Sequence, residues 1–439
     1  MARTPSNRVK AGRPLWWAAG LSLVLLLGIA LLVFSLVHDD TYVAPTPAPT
    51  STDTGLGTGP GTRGGTVGGP RPDLAATALH RLVDAVRAGD AAAARALAPH
   101  ADRGAGRRLA GIAANARAAG VRGFSARFVA PHGAYVDGSW SGTADVAWRF
   151  AGFDHRPARA EVEVRLRDDG DRVAITGFGG GGHVSPLWLT GPVRVDRTRS
   201  TLVLVDGTRR RARRYDEQAR VAVRVVRRVL PAWRAGLVVE VPASERSLER
   251  TLHAATGGYR QIAAVTTSPD GSTAAHAPVH VFVNPEVFDE LRPTGAQVVM
   301  SHEATHVATG AFTSPVPLWL LEGFADYVAL RDVSLPVSRS AARVAADVRR
   351  HGAPARLPTD AAFGPRTADL GATYEAAWLA VRQVAVDAGQ PALVRFYDEA
   401  SSGTPVARAL PRATGLTVRA LTDQWRRLLR QLAARGGGR

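Results

Sequence analysis

The stretch "VVMSHEATHVATGAF", residues 298–312, contains two histidines and a glutamate at the spacing H-E-x-x-H. In an α-helix, positions four apart lie on the same face, one turn from each other. His302 and His306 can therefore hold one zinc ion between their imidazoles, at about 2.0–2.1 Å from each nitrogen. Glu303 lies about 100° further round the helix, beside the ion, where a carboxylate can take a proton from water. The sequence thus predicts a helix with two metal ligands and a base.

A third ligand is expected because a catalytic zinc has three protein ligands and one open position. The stretch "PLWLLEGFADYVAL", residues 317–330, provides Glu322, sixteen positions after His306. That distance leaves room for a loop and for a second helix that returns alongside the first. Asp326 lies one turn beyond Glu322 on the same face. Its carboxylate can accept the second ring N–H of a ligating histidine and fix the tautomer of that ring.

The pair HEATH and WLLEGFADY resembles the motif pair of the gluzincins, in particular the peptidase MA-like metallopeptidases, written HExxH…WLxEGxADY. The resemblance covers residues 193–435 and implies a thermolysin-like domain in which a mixed sheet leads into helices. It implies Zn²⁺ as cofactor and a peptide or protein as substrate, hydrolysed by Glu-assisted attack of water. It assigns the ligands to His302, His306 and Glu322, the general base to Glu303, and the support of a histidine ligand to Asp326. The strand "VHVFVNP" (279–285) matches the edge strand that can pair with an extended substrate.

The oxyanion that forms during hydrolysis needs a donor besides the metal. Tyr374, in "ATYEAAWLAV" (372–381), is the candidate, because the resemblance to the metallopeptidases implies that a tyrosine often stands at the start of a helix in this region. A core position is the alternative, since Tyr374 and Trp378 share helical spacing. His351 is a weaker candidate, and Tyr327 is interpreted as a packing residue.

The amino-terminal region predicts a membrane anchor. Leu15–Val37 is an uncharged apolar run of about 34 Å as a helix, with basic residues before it and acidic residues after it. The positive-inside rule then makes residues 1–14 a cytoplasmic tail and puts the rest outside the membrane. A cleaved signal peptide is the alternative, but the run is long and no A-x-A site follows. Residues 38–72, rich in Pro, Thr and Gly, indicate a flexible linker.

Residues 73–182 predict a small α+β domain. Two amphipathic helical patterns, 74–98 and 107–120, precede four alternating runs separated by turn residues. This order resembles the cone-shaped cystatin or SnoaL-like fold. "GFGGGGHVSP" (177–186) indicates a hinge to the next domain, with His183 as a loop residue. The expected fold class is therefore α+β: a transmembrane helix, a small α+β domain, and a metallopeptidase domain.

Composition limits the partners. The formal charge is +17, but Lys10 is the only lysine and arginine is spread along the chain. That bias is typical of GC-rich bacterial coding. The run "TRRRARR" (208–214) has no interleaved aromatic residues and indicates the solvated start of a helix, so no nucleic-acid partner is expected. The chain has no cysteine, which excludes disulfides and thiolate metal ligands.

Together these patterns predict a membrane-anchored, extracytoplasmic zinc metallopeptidase of the cell membrane. The alternative, from another class, is a non-catalytic envelope sensor or scaffold in which the metal is structural. Substrate specificity and oligomeric state have no signal in the sequence.

Overall fold

Among the described residues, the first part of the fold consists of three helices followed by four strands. The computed structural model describes residues 69–274, 276–364 and 367–435. The first elements are α1 (Pro72–Ala88), α2 (Ala91–Ala96), α3 (Arg103–Ala119), β1 (Val121–Val136), β2 (Ser139–Phe150), β3 (Ala158–Asp169) and β4 (Arg172–Phe178).

The first predicted helix is in fact two helices. Gly89 ends α1 in the left-handed region (φ 67°), and the Asp90 carboxylate accepts hydrogen bonds from two N–H groups at the start of α2. A glycine followed by a capping aspartate is the local signal for such a break. The four strands form an antiparallel meander in the order β1-β2-β3-β4, and the helices cover its apolar face.

The second part of the fold is a mixed sheet followed by helices. Its strands are β5 (Arg194–Arg197), β6 (Thr201–Val205), β7 (Leu237–Val241), β8 (Ala264–Thr267) and β9 (His280–Val283). Its helices are α4 (Leu187–Thr190), α5 (Arg209–Val229), α6 (Glu245–Leu252), α7 (Pro285–Phe288), α8 (Pro293–Thr309), α9 (Leu318–Leu330), α10 (Val337–Ser340), α11 (Ala342–His351), α12 (Leu370–Ala388), α13 (Gln390–Ser401), α14 (Val406–Thr414) and α15 (Val418–Arg435), with short 3₁₀ turns at Ala311–Thr313 and Asp360–Phe363.

The identity of the edge strand differs from the sequence-based expectation. The sheet order is β5-β6-β7-β9-β8, with β6, β7 and β9 parallel and with β8 antiparallel to β9. The strand "VHVFVNP", expected at the edge, contains β9 and lies between two others, so that expectation is wrong. The edge strand beside β9 is β8, only four residues long, and so short an element has little periodicity to reveal it.

The five-stranded sheet has an apolar partner on each face. Val203 and Val205 point into the core formed with α5 and the later helices. Leu202, Leu204 and Val238 point the other way, into the core of the amino-terminal helices and meander. Strand residues alternate between faces, so β6 contributes side chains to both cores. The segment predicted as a hinge therefore joins two units whose cores meet at one sheet.

The predicted three-part architecture needs a correction at its first part, the transmembrane helix. The described residues form an α+β fold with two sheets and fifteen α-helices. None of the helices among these residues has both the length and the apolar character to cross a bilayer. The segment Leu15–Val37, on which the prediction of an anchor rested, lies outside the described residues, as do the tail and most of the linker.

Candidate metal centre

Helix α8 presents His302 and His306 to the interior. Pro293 starts the helix, where its missing N–H is not needed, and Gly310 ends it with φ 62°. Both histidines are buried, His302 completely. Their rings lie 4.5 Å apart between centroids, nearly perpendicular. The helix thus holds two imidazoles one turn apart in a water-poor interior.

Helix α9 brings the carboxylates against α8. Its first turn is capped by a residue that is remote in sequence: the Asp360 carboxylate accepts a hydrogen bond from the Leu318 N–H at 2.9 Å. Gly323 lets α9 approach α12 closely: a Cβ at this position would lie 2.5 Å from the carbonyl oxygen of Ala377. The glycine of the EGFAD motif is therefore required by helix packing. It sits next to Glu322, which it helps to place.

The three predicted ligands converge. Glu322 Oε2 lies 3.3 Å from His302 Nε2 and 3.6 Å from His306 Nε2. One ligand atom from each residue lies within 4.8 Å of the other two, a spacing at which one ion can contact all three.

Unpartnered polar atoms show that these residues fit a metal ion. Within the described part of the chain, His302 Nε2, His306 Nε2 and both carboxylate oxygens of Glu322 make no hydrogen bond although they are buried. Leaving a buried polar group unsatisfied costs about 1–3 kcal/mol, and more for a charged one. A cation shared by four such atoms would remove this cost. Two nitrogens and one carboxylate are a donor set typical of catalytic zinc.

Asp326 supports the first histidine, as its position in the sequence suggested. Asp326 Oδ1 lies 2.8 Å from His302 Nδ1, so the ring donates from Nδ1 and directs Nε2 toward Glu322. Burial alone would lower the pKa of His302, but the carboxylates of Asp326 and Glu322 outweigh it and raise the pKa to about 10. The surroundings of this imidazole therefore favour positive charge.

Asp326→Asn is expected to weaken zinc binding by about 10–100-fold, because loss of the carboxylate behind a histidine ligand reduces the basicity of that ligand. Titration of the full chain with zinc against a competing chelator measures the change. Asp387→Asn, at an exposed carboxylate on α12, is the matched control. Equal affinity of the Asp326 variant and the control would contradict the role.

Glu303 lies beside the three ligands and is fully buried. Its Oε2 accepts a hydrogen bond from the Thr266 hydroxyl at 2.6 Å, and its Oε1 has no partner among the described residues. Burial raises the pKa of Glu303 above its ordinary value, although His302, His306 and the Thr266 hydroxyl oppose that rise. A carboxylate with a raised pKa and one free oxygen is suited to accepting a proton.

Tyr374 lies in the same region, on α12. It is completely buried, and its ring meets Phe363 edge-on at 5.3 Å between centroids. Burial raises its pKa well above 10, and Glu322, Asp326 and Glu303 raise it further. The phenol is therefore packed in the core, and the three carboxylates favour its neutral form, which can donate a hydrogen bond.

Other candidates lie away from the ligands. His351 is exposed at the end of α11 and pairs with Asp347 at 2.8 Å. Tyr327 donates a hydrogen bond to Gln390 at 3.3 Å, in keeping with its interpretation as a packing residue.

Sequence reasoning missed Thr266, which lies on the short strand β8 and 37 positions before Glu303. The run "AVTTSPDG", with β-branched residues before a turn, was the only signal for that strand.

A scan against protein-family models gave no match, and a search of curated proteins gave none. The function of this chain is therefore inferred from the motif pair and from the geometry of the site.

Proposed function

We propose that this chain is a zinc-dependent peptidase, with His302, His306 and Glu322 as metal ligands and Glu303 as general base. One observation carries the proposal: a buried donor atom from each ligand lies within 4.8 Å of the others, and these atoms make no hydrogen bond among the described residues. A buried carboxylate, Glu303, stands next to them. The choice of zinc rests on the donor set, and the choice of peptides rests on the motif resemblance.

In the proposed reaction the metal ion and two side chains have separate roles. When bound, zinc supplies Lewis acidity, which polarises a carbonyl and lowers the pKa of a water molecule toward about 7. Glu303 takes the proton of the attacking water and gives it to the departing amine nitrogen. Tyr374 donates a hydrogen bond to the carbonyl oxygen as negative charge develops there.

Strand β8 supports a peptide as the substrate class. Among the described strands it pairs with β9 alone, so its other edge offers backbone N–H and C=O groups. An extended peptide can add to such an edge as a further strand. Because Thr266 on β8 contacts Glu303, a peptide paired there would pass close to the base.

A structural metal is the second candidate, and burial favours it. His302, Glu303 and Glu322 are 0% exposed, and His306 is 6% exposed. A structural zinc site is closed, whereas a catalytic one keeps an open position. In that case the protein would act as a non-catalytic sensor or scaffold.

The deciding experiment uses the full chain and a library of fluorescence-quenched peptides. Elemental analysis is expected to give one zinc per chain, and cleavage is expected to stop with a chelator and return with added zinc. One zinc without cleavage would favour the structural site. Absence of stoichiometric zinc would contradict both proposals.

A further inference from the structure

Strand β8 carries a hydroxyl group into the metal centre. Thr266 Oγ1 lies 2.6 Å from Glu303 Oε2 and 3.2 Å from the backbone oxygen of Glu303. The hydroxyl has one proton to donate, and the shorter distance is typical of a hydroxyl that donates to a charged carboxylate. The hydroxyl therefore binds one defined oxygen of the candidate base.

The hydrogen bond leaves the two oxygens of Glu303 in different situations. Oε2 has a donor, while Oε1 is buried without one among the described residues. A glutamate side chain loses rotamer freedom when it is held in one orientation. Threonine is well suited to hold it, because a β-branched side chain has a restricted χ1 angle.

We propose that Thr266 is a positioning residue, which holds Glu303 by Oε2 so that Oε1 is the oxygen that accepts the proton. The inference rests on the proposed function. In the step it concerns, a water O–H bond breaks and its proton goes to Oε1. An oxygen lone pair forms the bond to the carbonyl carbon, and the π pair of the C=O bond moves to the carbonyl oxygen until that bond forms again. As the C–N bond breaks, the proton leaves Oε1 for the amine nitrogen. The net reaction is hydrolysis of the peptide bond, with water as the only co-reactant.

The position of Thr266 is itself fixed by the amino-terminal unit. Thr267, the next residue, is the β-pairing partner of His280, and His280 Nε2 lies 3.0 Å from Asp154 Oδ1 in the turn after β2. Beyond the end of β8, Asp270 accepts a hydrogen bond from the Arg159 N–H at 2.8 Å. The strand is therefore anchored to the first unit through its pairing partner and through the turn that follows it. That unit therefore helps to place the base.

Thr266→Val removes the hydroxyl at nearly constant volume and tests the inference in the zinc-loaded full chain. A hydrogen bond to a charged group corresponds to about 10–100-fold, so kcat is expected to fall by that factor. KM is expected to stay within about twofold, because substrate binding does not use the hydroxyl. Zinc content is expected to be unchanged, because Thr266 is not a ligand. Thr266→Ser keeps the hydroxyl and is expected to restore most of kcat.

Thr201→Val is the matched control. Thr201 lies in the same sheet as Thr266 but on β6, and its hydroxyl donates to the buried carboxylate of Asp216 at 3.0 Å. It loses an equivalent hydrogen bond and is expected to lower the melting temperature without changing kcat. If Thr266→Val loses zinc or unfolds, the pair Thr266→Ser and Thr266→Ala decides, since these differ only in the hydroxyl.

Three outcomes overturn the inference. Unchanged kcat in Thr266→Val excludes the positioning role, and equal kcat in the Ser and Ala variants shows that the hydroxyl is not the cause. Absence of zinc-dependent cleavage by the wild-type chain is a separate result: it removes the proposed function and the inference with it.

Discussion

Glu303→Gln is expected to keep one zinc per chain while lowering kcat by about 10²–10⁴-fold, the usual contribution of a general base. Glutamine preserves the size of the side chain and can still accept a hydrogen bond from Thr266 through its amide oxygen. It cannot accept the proton of water at neutral pH. Zinc binding is expected to persist because the ligand atoms belong to His302, His306 and Glu322.

The measurement combines elemental analysis with steady-state cleavage of one peptide selected from the quenched library. Glu217→Gln, at an exposed position on α5, makes the same chemical change far from the candidate ligands and is expected to match the wild type. A Glu303→Gln protein with full zinc content and full activity would rule out Glu303 as the base. A protein that loses its zinc would instead show that the carboxylate supports the metal.

Helical periodicity explains how much of the site could be predicted. The spacing of His302 and His306 is a local property of one helix, and so is the spacing of Glu322 and Asp326. The loop between the two helices is short, which leaves few ways to arrange them. The sequence could therefore place these four side chains near one point, and the structure has them within contact distance.

Contacts between distant elements are what the sequence could not provide. Thr266 reaches Glu303 only because β8 lies at the edge of the sheet beside α8, and no local pattern encodes that order of strands. His280 reads as one more residue of an apolar strand, yet its partners come from two other segments, Asp154 and Glu240. The contact between this sheet and the first unit could not be predicted for the same reason. The continuous apolar run of β6 shows that both faces of the sheet are apolar without showing what covers them.

A buried cluster of three ionisable groups connects the two units of the fold. His280 Nδ1 lies 2.7 Å from Glu240 Oε1 on β7, and its Nε2 lies 3.0 Å from Asp154 Oδ1. Asp154 Oδ2 accepts a hydrogen bond from the Phe150 N–H at 2.6 Å. Burial alone would lower the pKa of His280, but Asp154 and Glu240 outweigh it and raise the pKa to about 10. The imidazole therefore carries the positive charge that allows two carboxylates to be buried together.

His280→Ala is expected to lower the free energy of unfolding by about 3–5 kcal/mol, because it leaves both carboxylates buried without a counter-charge. Urea denaturation measures the change, and His155→Ala, at an exposed position in the same turn as Asp154, is the control. The folded pKa exceeds the unfolded value of about 6.5. The stabilisation by His280 is therefore complete below about pH 6.5 and is lost as the pH rises through about 10. The difference between wild type and His280→Ala is expected to shrink over that interval, and a difference that is small or independent of pH would show that the cluster does not hold the two units together.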